Sequence, residues 1–231
     1  MPRIARYVAP GVAHHITQRG TGRQVVFRSL ADRRVYLDLL RQQTRFTGVS
    51  VLAYCLMPNH IHLIAVPGEE DSLAVLLRRV HGRFAQYFNA RRSRCGHLWQ
   101  NRFYSCPLGP AHLWTALRYV ESNPVRAGLA AEPAAYAWSS ARAHCTGQDH
   151  SRLLDMQFFE REGGVANWRR LFCQAEDDSA YGALRKATHG GQPFGDPAFA
   201  EQLRAHRQPR PAMREQTPDY NVEYAPLAAG Q

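Results

Sequence analysis

Two apolar, strand-length runs joined by a Pro-Asn pair constrain this chain more than any other feature. Residues 49–57 are apolar and rich in strand formers, Pro58-Asn59 is a turn pair, and residues 60–66 resume the strand pattern. Runs of this length around so short a connection fold as an antiparallel hairpin. The period of two then sets His60, His62, Ile64 and Val66 on one face of the second strand. Two imidazoles spaced by one apolar residue, His60-Ile61-His62, are what a strand needs to aim two rings at one cation. Histidines also fill core and surface positions, so the pair alone leaves both readings open.

The surrounding pattern alternates strands and helices. Residues 13–18 read as a strand that ends in a glycine-rich turn flanked by arginines, Arg19-Gly20-Thr21-Gly22-Arg23. Residues 31–46 carry helical periodicity, with Asp32 in the first turn, where a negative charge suits the helix dipole. Asp71 or Ser72 caps a helix running to about Arg92. Leu73, Leu76, Leu77, Val80, Phe84 and Phe88 form its apolar side, and Arg78, Arg79, Arg83, Arg91 and Arg92 lie on the other. His81 on this helix reads as a surface residue. Residues 96–108 read as a strand, and 111–121 as a helix stopped near Asn123-Pro124. The sum is an α+β sandwich. Beyond Ser140 the pattern loosens. Residues 167–173 and 198–207 are expected as short helices, and a poorly ordered terminus is expected from Gln208 onward.

Net charge is +10, but it is unevenly spread. Residues 1–149 hold 19 Arg against 8 Asp+Glu (+11), and residues 150–231 hold 10 Lys+Arg against 11 Asp+Glu (−1). A cationic first two-thirds implies a polyanionic partner. All but one of the basic residues are arginine, whose planar fork suits phosphate and base edges. Arginines interleaved with aromatics, as in Arg83-Phe84 and Arg102-Phe103-Tyr104 with Trp99 nearby, bind backbone phosphates and stack unpaired bases. Arg19, Arg23, Arg83 and Arg102 are therefore candidate nucleic-acid contacts, and Arg78 and Arg79 on the same helix as Arg83 are counted with them. No run approaches the ~20 apolar residues of a membrane span, and a cytoplasmic, nucleoid-associated protein is expected. The five cysteines contain no CxxC pair, and Cys95-His97-Cys106 lacks a fourth zinc ligand.

Tyr119 and Asn123 lie four residues apart on one helix face. Tyrosine can be a covalent nucleophile, and an amide oxygen at Asn123 could join a metal held by His60 and His62. The competing reading is a core tyrosine and an end-cap before Pro124. Glu121 is turned about 200° from Tyr119, at ~100° per residue, and is expected to lie off that site.

Taken together, these segments resemble the single-tyrosine, His-hydrophobe-His transposases (IS200-like), and within them the bacterial branch associated with repetitive extragenic palindromes (REP). The resemblance rests on Pro10-Gly11 through His15-Ile16-Thr17-Gln18-Arg19-Gly20, on Met57-Pro58-Asn59-His60-Ile61-His62-Leu63, on Gly96-His97-Leu98-Trp99-Gln100-Asn101-Arg102-Phe103, on Arg118-Tyr119-Val120-Glu121-Ser122-Asn123-Pro124, and on Tyr136-Ala137-Trp138-Ser139-Ser140. Asn101 and Ser122 depart from the usual pattern. It implies a ferredoxin-like catalytic domain over residues 1–145, an antiparallel sheet backed by helices. A C-terminal extension over 146–231, partly helical and then disordered, would follow. It further implies Mg²⁺ or Mn²⁺ at His60, His62 and Asn123, with Tyr119 as nucleophile. The implied substrate is single-stranded DNA at a REP-like palindromic hairpin, cut through a 5′-phosphotyrosine by a monomer or homodimer. A domesticated hairpin-binding protein without cleavage and a zinc hydrolase are the alternatives.

Overall fold

The hairpin forms as the sequence predicts. β2 (Val49–Met57) and β3 (His60–Pro67) pair antiparallel, with Met57 opposite His60 and Cys55 opposite His62. The structure, a computed structural model, describes residues 7–174 and 176–205. β1 (His14–Arg19) lies on the far side of β3, and β4 (Tyr104–Pro107) completes an antiparallel sheet of order β2-β3-β1-β4. α1 (Leu30–Thr47) links β1 to β2, and α2 (Ser72–Ala90) links β3 to β4. This βαββαβ succession is the ferredoxin-like α+β arrangement.

Local signals set the element ends. Ser29 and Asp32 form a reciprocal capping box at the start of α1, and Gly48 ends it in the left-handed region at φ 60°. Asp32 does more than suit the dipole. It is fully buried and accepts from Arg92 at 2.7 Å, which ties α1 to the end of α2. At the start of α2, Asp71 makes no side-chain cap; Ser72 instead accepts from the Glu69 amide at 3.1 Å.

The sheet is covered on both faces, and the alternation of β1 divides them. Ile16, with Ile61, Leu63 and Ala65 of β3, packs against Tyr36 and Leu40 of α1 and Leu73, Leu76 and Phe84 of α2. The opposite face carries Ala53, Cys55, Met57, Ile64 and Cys106 beneath α3 (Pro110–Arg126). Five further helices follow among the described residues: α4 (Ala141–Thr146), α5 (Met156–Arg161), α6 (Gly164–Phe172), α7 (Asp178–Gly190) and α8 (Pro197–Ala205). Phe159, Trp168, Tyr181 and Leu184 from α5 to α7 join the α3 core.

Several expectations need correction. Residues 96–103 do not form a strand. They make a loop with left-handed Gly96 and Asn101, held to β1 by a bridge between Gly20 and Trp99. The tyrosine helix does not stop at Asn123. It runs through Pro124 to Arg126, because only the Val120 carbonyl loses its donor while the next turn still closes, Ala127 N to Asn123 O at 3.0 Å. Asn123 is thus inside the helix and not its cap. His81 is buried and hydrogen-bonded to the Tyr36 hydroxyl at 2.9 Å. No periodic signal in the sequence marks α4, α5 and α7, because their polar caps and short apolar stripes resemble loop composition. The last residues of the expected 198–207 helix, and the terminus from Gln208, lie outside the described residues.

Glu121 explains how α3 is held. Its carboxylate is fully buried and accepts from His144 Nδ1 of α4 at 2.6 Å, from Trp168 Nε1 of α6 at 2.6 Å and from Ser140 Oγ. Replacing Glu121 with Ala strands three donors, so a loss of about 2–4 kcal/mol is expected. In a thermal melt that is a fall of roughly 5–15 °C.

Two buried histidines give the fold an acid limit. His14 donates through Nδ1 to Val12 O and accepts the Ala9 amide at Nε2; burial lowers its pKa to about 4. Burial lowers His81 to about 3. The unfolded chain takes up these protons near pH 6.5 and the folded chain does not, so stability present above pH 6.5 is lost as pH falls toward 4. Melting midpoints measured at pH 7, 6 and 5 are expected to decrease, with a shallower slope in His81→Phe.

Candidate active site

β3 and β1 build the site by register. Arg19 stands opposite His60 and Thr17 opposite His62, so these four side chains share the sheet face that α3 and α7 cover. His15, two residues before Thr17, joins them diagonally. The His60 and His62 rings are 4.9 Å apart between centroids and near-perpendicular. Each uses its Nδ1. His60 Nδ1 lies 2.6 Å from Asn59 Oδ1, and His62 Nδ1 lies 2.9 Å from His15 Nε2. Neither Nε2 has a hydrogen-bond partner among the described residues. Burial lowers His60 to about 4 and holds His62 well below the usual imidazole range; neighbouring positive charge acts in the same direction. Both rings are neutral at physiological pH, the form that ligates metal.

Tyr119 projects from α3 onto these rings. It is 6 % exposed, with its ring centroid 5.5 Å from His62 and 5.7 Å from His15, edge to face. Burial raises its phenol pKa, opposed by the guanidinium groups of Arg185, Arg126 and Arg19. Asn123 lies one turn further along α3, half-buried, its amide without a hydrogen bond among the described residues. Among the described residues no three His, Cys, Asp or Glu side chains group as a metal site. The donors this strand pair offers a cation are therefore two neutral imidazoles, to be completed by oxygens from water, a substrate or an amide. That set fits a divalent ion and would be incomplete without such oxygens.

The structure brings together His60, His62, Tyr119 and Arg19, and Asn123 follows Tyr119 one turn along α3. It does not bring the other arginines to them. Arg78 and Arg102 line a recess of about 460 Å³ with Gln18, His81, Trp99 and Phe103. Gln18 alternates with Thr17 and Arg19, so this recess opens on the other sheet face. Arg23, Arg79 and Arg83 are exposed.

Four residues of α7 are absent from the sequence reading of the site. Arg185 faces Tyr119, Tyr181 packs on its ring at 5.3 Å, Thr188 hydrogen-bonds His15 at 2.7 Å, and His189 meets the Tyr104 ring at 4.7 Å. Thr188 stands 173 residues from His15, and the other three are similarly remote, so no local pattern marks them. His15 did carry a signal: its alternation with Thr17 and Arg19.

The fold and this face define a class, a ferredoxin-like sheet whose strand histidines meet a helical tyrosine. Residues 10–123 match the family described as transposase IS200 like. Among solved structures, a REP-associated tyrosine transposase bound to a REP hairpin superposes with a TM-score of 0.53 at 19 % identity, covering 66 % of this chain and 90 % of that one. A Deinococcus radiodurans R1 protein described as a candidate transposase is 19 % identical, with 53 % of this chain and 97 % of that one covered and a TM-score of 0.36. No curated protein matches significantly in sequence. Among the described residues no helix is long and apolar enough to cross a membrane.

Arg185 is the strongest cation opposing the raised phenol pKa. Arg185→Met is expected to move the Tyr119 pKa further up, as read by titrating the Cζ resonance of labelled tyrosine.

Proposed function

We propose that the protein cuts and rejoins single-stranded DNA beside a palindromic hairpin, with Tyr119 as the nucleophile. The supporting observation is the phenol ring 5.5 Å from His62 in a chain carrying an IS200-like transposase segment. The Tyr119 oxygen attacks phosphorus, the P–O3′ bond breaks, and the released 3′ oxygen takes a proton. The products are a 5′-phosphotyrosine and a free 3′-hydroxyl. A 3′-hydroxyl attacking the phosphotyrosine reverses these bond changes, so resealing needs no external energy source. Arg185 and Arg19 face the developing phenolate and favour the anion.

His60, His62 and Asn123 would hold Mg²⁺ or Mn²⁺, which when bound polarises the scissile phosphate. Arg23, Arg78, Arg79, Arg83 and Arg102 hold phosphates of the surrounding DNA. The REP hairpin carried by the superposable transposase supports a REP-like palindrome as substrate. One chain supplies both rings and phenol, so a monomer suffices. Residues 1–145 carry the nucleophile and the paired histidines, residues 146–231 extend this unit and add Arg185 from α7, and the work is done at the nucleoid.

Incubation of hairpin oligonucleotides with protein and Mg²⁺ or Mn²⁺, followed by a denaturing gel, tests the reading. Wild type is expected to give a DNA-linked protein band. Tyr119→Phe is expected to lose the band and retain the native gel shift. A band that survives in Tyr119→Phe places the nucleophile elsewhere. A native shift with no covalent product from wild type favours a hairpin-binding protein without cleavage.

A further inference from the structure

A line of hydrogen bonds runs from α7 to the metal-facing pair. The Thr188 hydroxyl lies 2.8 Å from the Leu184 carbonyl, one helical turn back, and 2.7 Å from His15 Nδ1. Cys106 Sγ lies 3.3 Å from the same hydroxyl, and His15 Nε2 lies 2.9 Å from His62 Nδ1. Every atom in the line is buried.

Proton counting fixes its direction. A carbonyl can only accept, so the one Thr188 hydroxyl proton belongs to Leu184 O. Were that proton turned to His15, two oxygens would face each other at 2.8 Å with none between them. The Thr188 oxygen therefore accepts, from His15 Nδ1–H and from the Cys106 thiol. With its proton on Nδ1, His15 presents a lone pair at Nε2, which accepts from His62 Nδ1–H. His62 is left with its lone pair on Nε2, the atom with no partner among the described residues. On the neighbouring strand position, His60 reaches the same state by a shorter route. Asn59 Nδ2 donates to Arg23 O at 3.2 Å, which turns Asn59 Oδ1 to His60 Nδ1–H.

We propose that Thr188 and His15 are positioning residues that fix His62 as the Nδ1–H tautomer, keeping its Nε2 lone pair ready for a divalent cation. The α7 helix, outside the segment that matches the transposase family, thereby becomes part of the site. The inference rests on the metal role given above to His60 and His62. It adds a requirement on proton placement that the metal-free protein must already meet. An imidazole whose second nitrogen is held by a fixed acceptor binds metal more tightly, commonly by 10- to 100-fold over one whose acceptor is removed.

Long-range ¹H–¹⁵N NMR of the metal-free full chain reads the tautomers directly, and Mn²⁺ binding followed by electron paramagnetic resonance reads affinity. Wild type is expected to show His15 and His62 protonated at Nδ1. Thr188→Val removes the acceptor but keeps the shape. It is expected to show a mixed His15 and His62 tautomer pattern and about 10-fold or more weaker Mn²⁺ binding. Thr188→Ser is expected to restore both readouts, which a purely packing role would not require. Wild-type His62 protonated at Nε2 would overturn the proposal. So would a Thr188→Val protein with wild-type tautomers and affinity. A wild type with the expected tautomers but no Mn²⁺ uptake refutes the metal reading itself, by a separate signal, and this inference with it.

Discussion

The pairing register between β1 and β3 is the constraint on which the site depends. Thr17 opposite His62 and Arg19 opposite His60 put imidazoles and guanidinium on the face beneath α3. A slip of one residue would turn every one of these side chains to the other face. It would also bury histidines among the leucines and phenylalanines under α1 and α2. The register is held because both faces are apolar and different. Ile16, Ile61 and Leu63 fill one core, and Ile64, Cys55 and Cys106 fill the other. The hairpin at Pro58-Asn59 leaves β3 no other pairing with β2, and Gly20 closes tightly on Gln24, where a Cβ would come within 2.6 Å of a backbone oxygen.

A second constraint brings the phenol to that face. Tyr119 and Glu121 sit two residues apart, so they leave α3 on different sides. Tyr119 faces the sheet histidines, while Glu121 faces α4 and α6 and is clamped by His144, Trp168 and Ser140. A buried carboxylate is costly unless fully hydrogen-bonded. Here its three donors come from the segments that follow α3 in the chain. The rotation of the tyrosine helix about its own axis is thus fixed from behind by residues with no part in the chemistry. The helices after residue 140 serve the site twice, through this clamp and through the side chains of α7.

Much of this was legible because it depends on periods and short-range spacing. The HxH pair, the hairpin, the apolar stripe of α2 and the Tyr119–Asn123 spacing are local facts, and each survives in the structure. Boundaries failed where long-range contacts override local preference. Pro124 signalled a stop, but packing around α3 carries the helix past it. Residues 96–103 alternate like a strand, but left-handed Asn101 and the tie to Gly20 turn them into a loop. His81 looked polar enough for the surface, and only the Tyr36 hydroxyl in the core makes its burial tolerable.

The sequence by itself determined the hairpin and the strand before it, the face shared by His60 and His62, the helix face shared by Tyr119 and Asn123 and the cationic bias of the first two-thirds of the chain. Each follows from the fixed geometry of a strand or a helix, or from counting charge. Only the tertiary structure decided that His15, Thr188 and Arg185 belong with them, and that the arginines divide between two faces of the sheet. The physical reason is that hydrogen-bond partners and charge neighbours are set by distance in space. Folding brings α7 within 3 Å of a strand 173 residues away, and no periodicity along the chain records that approach.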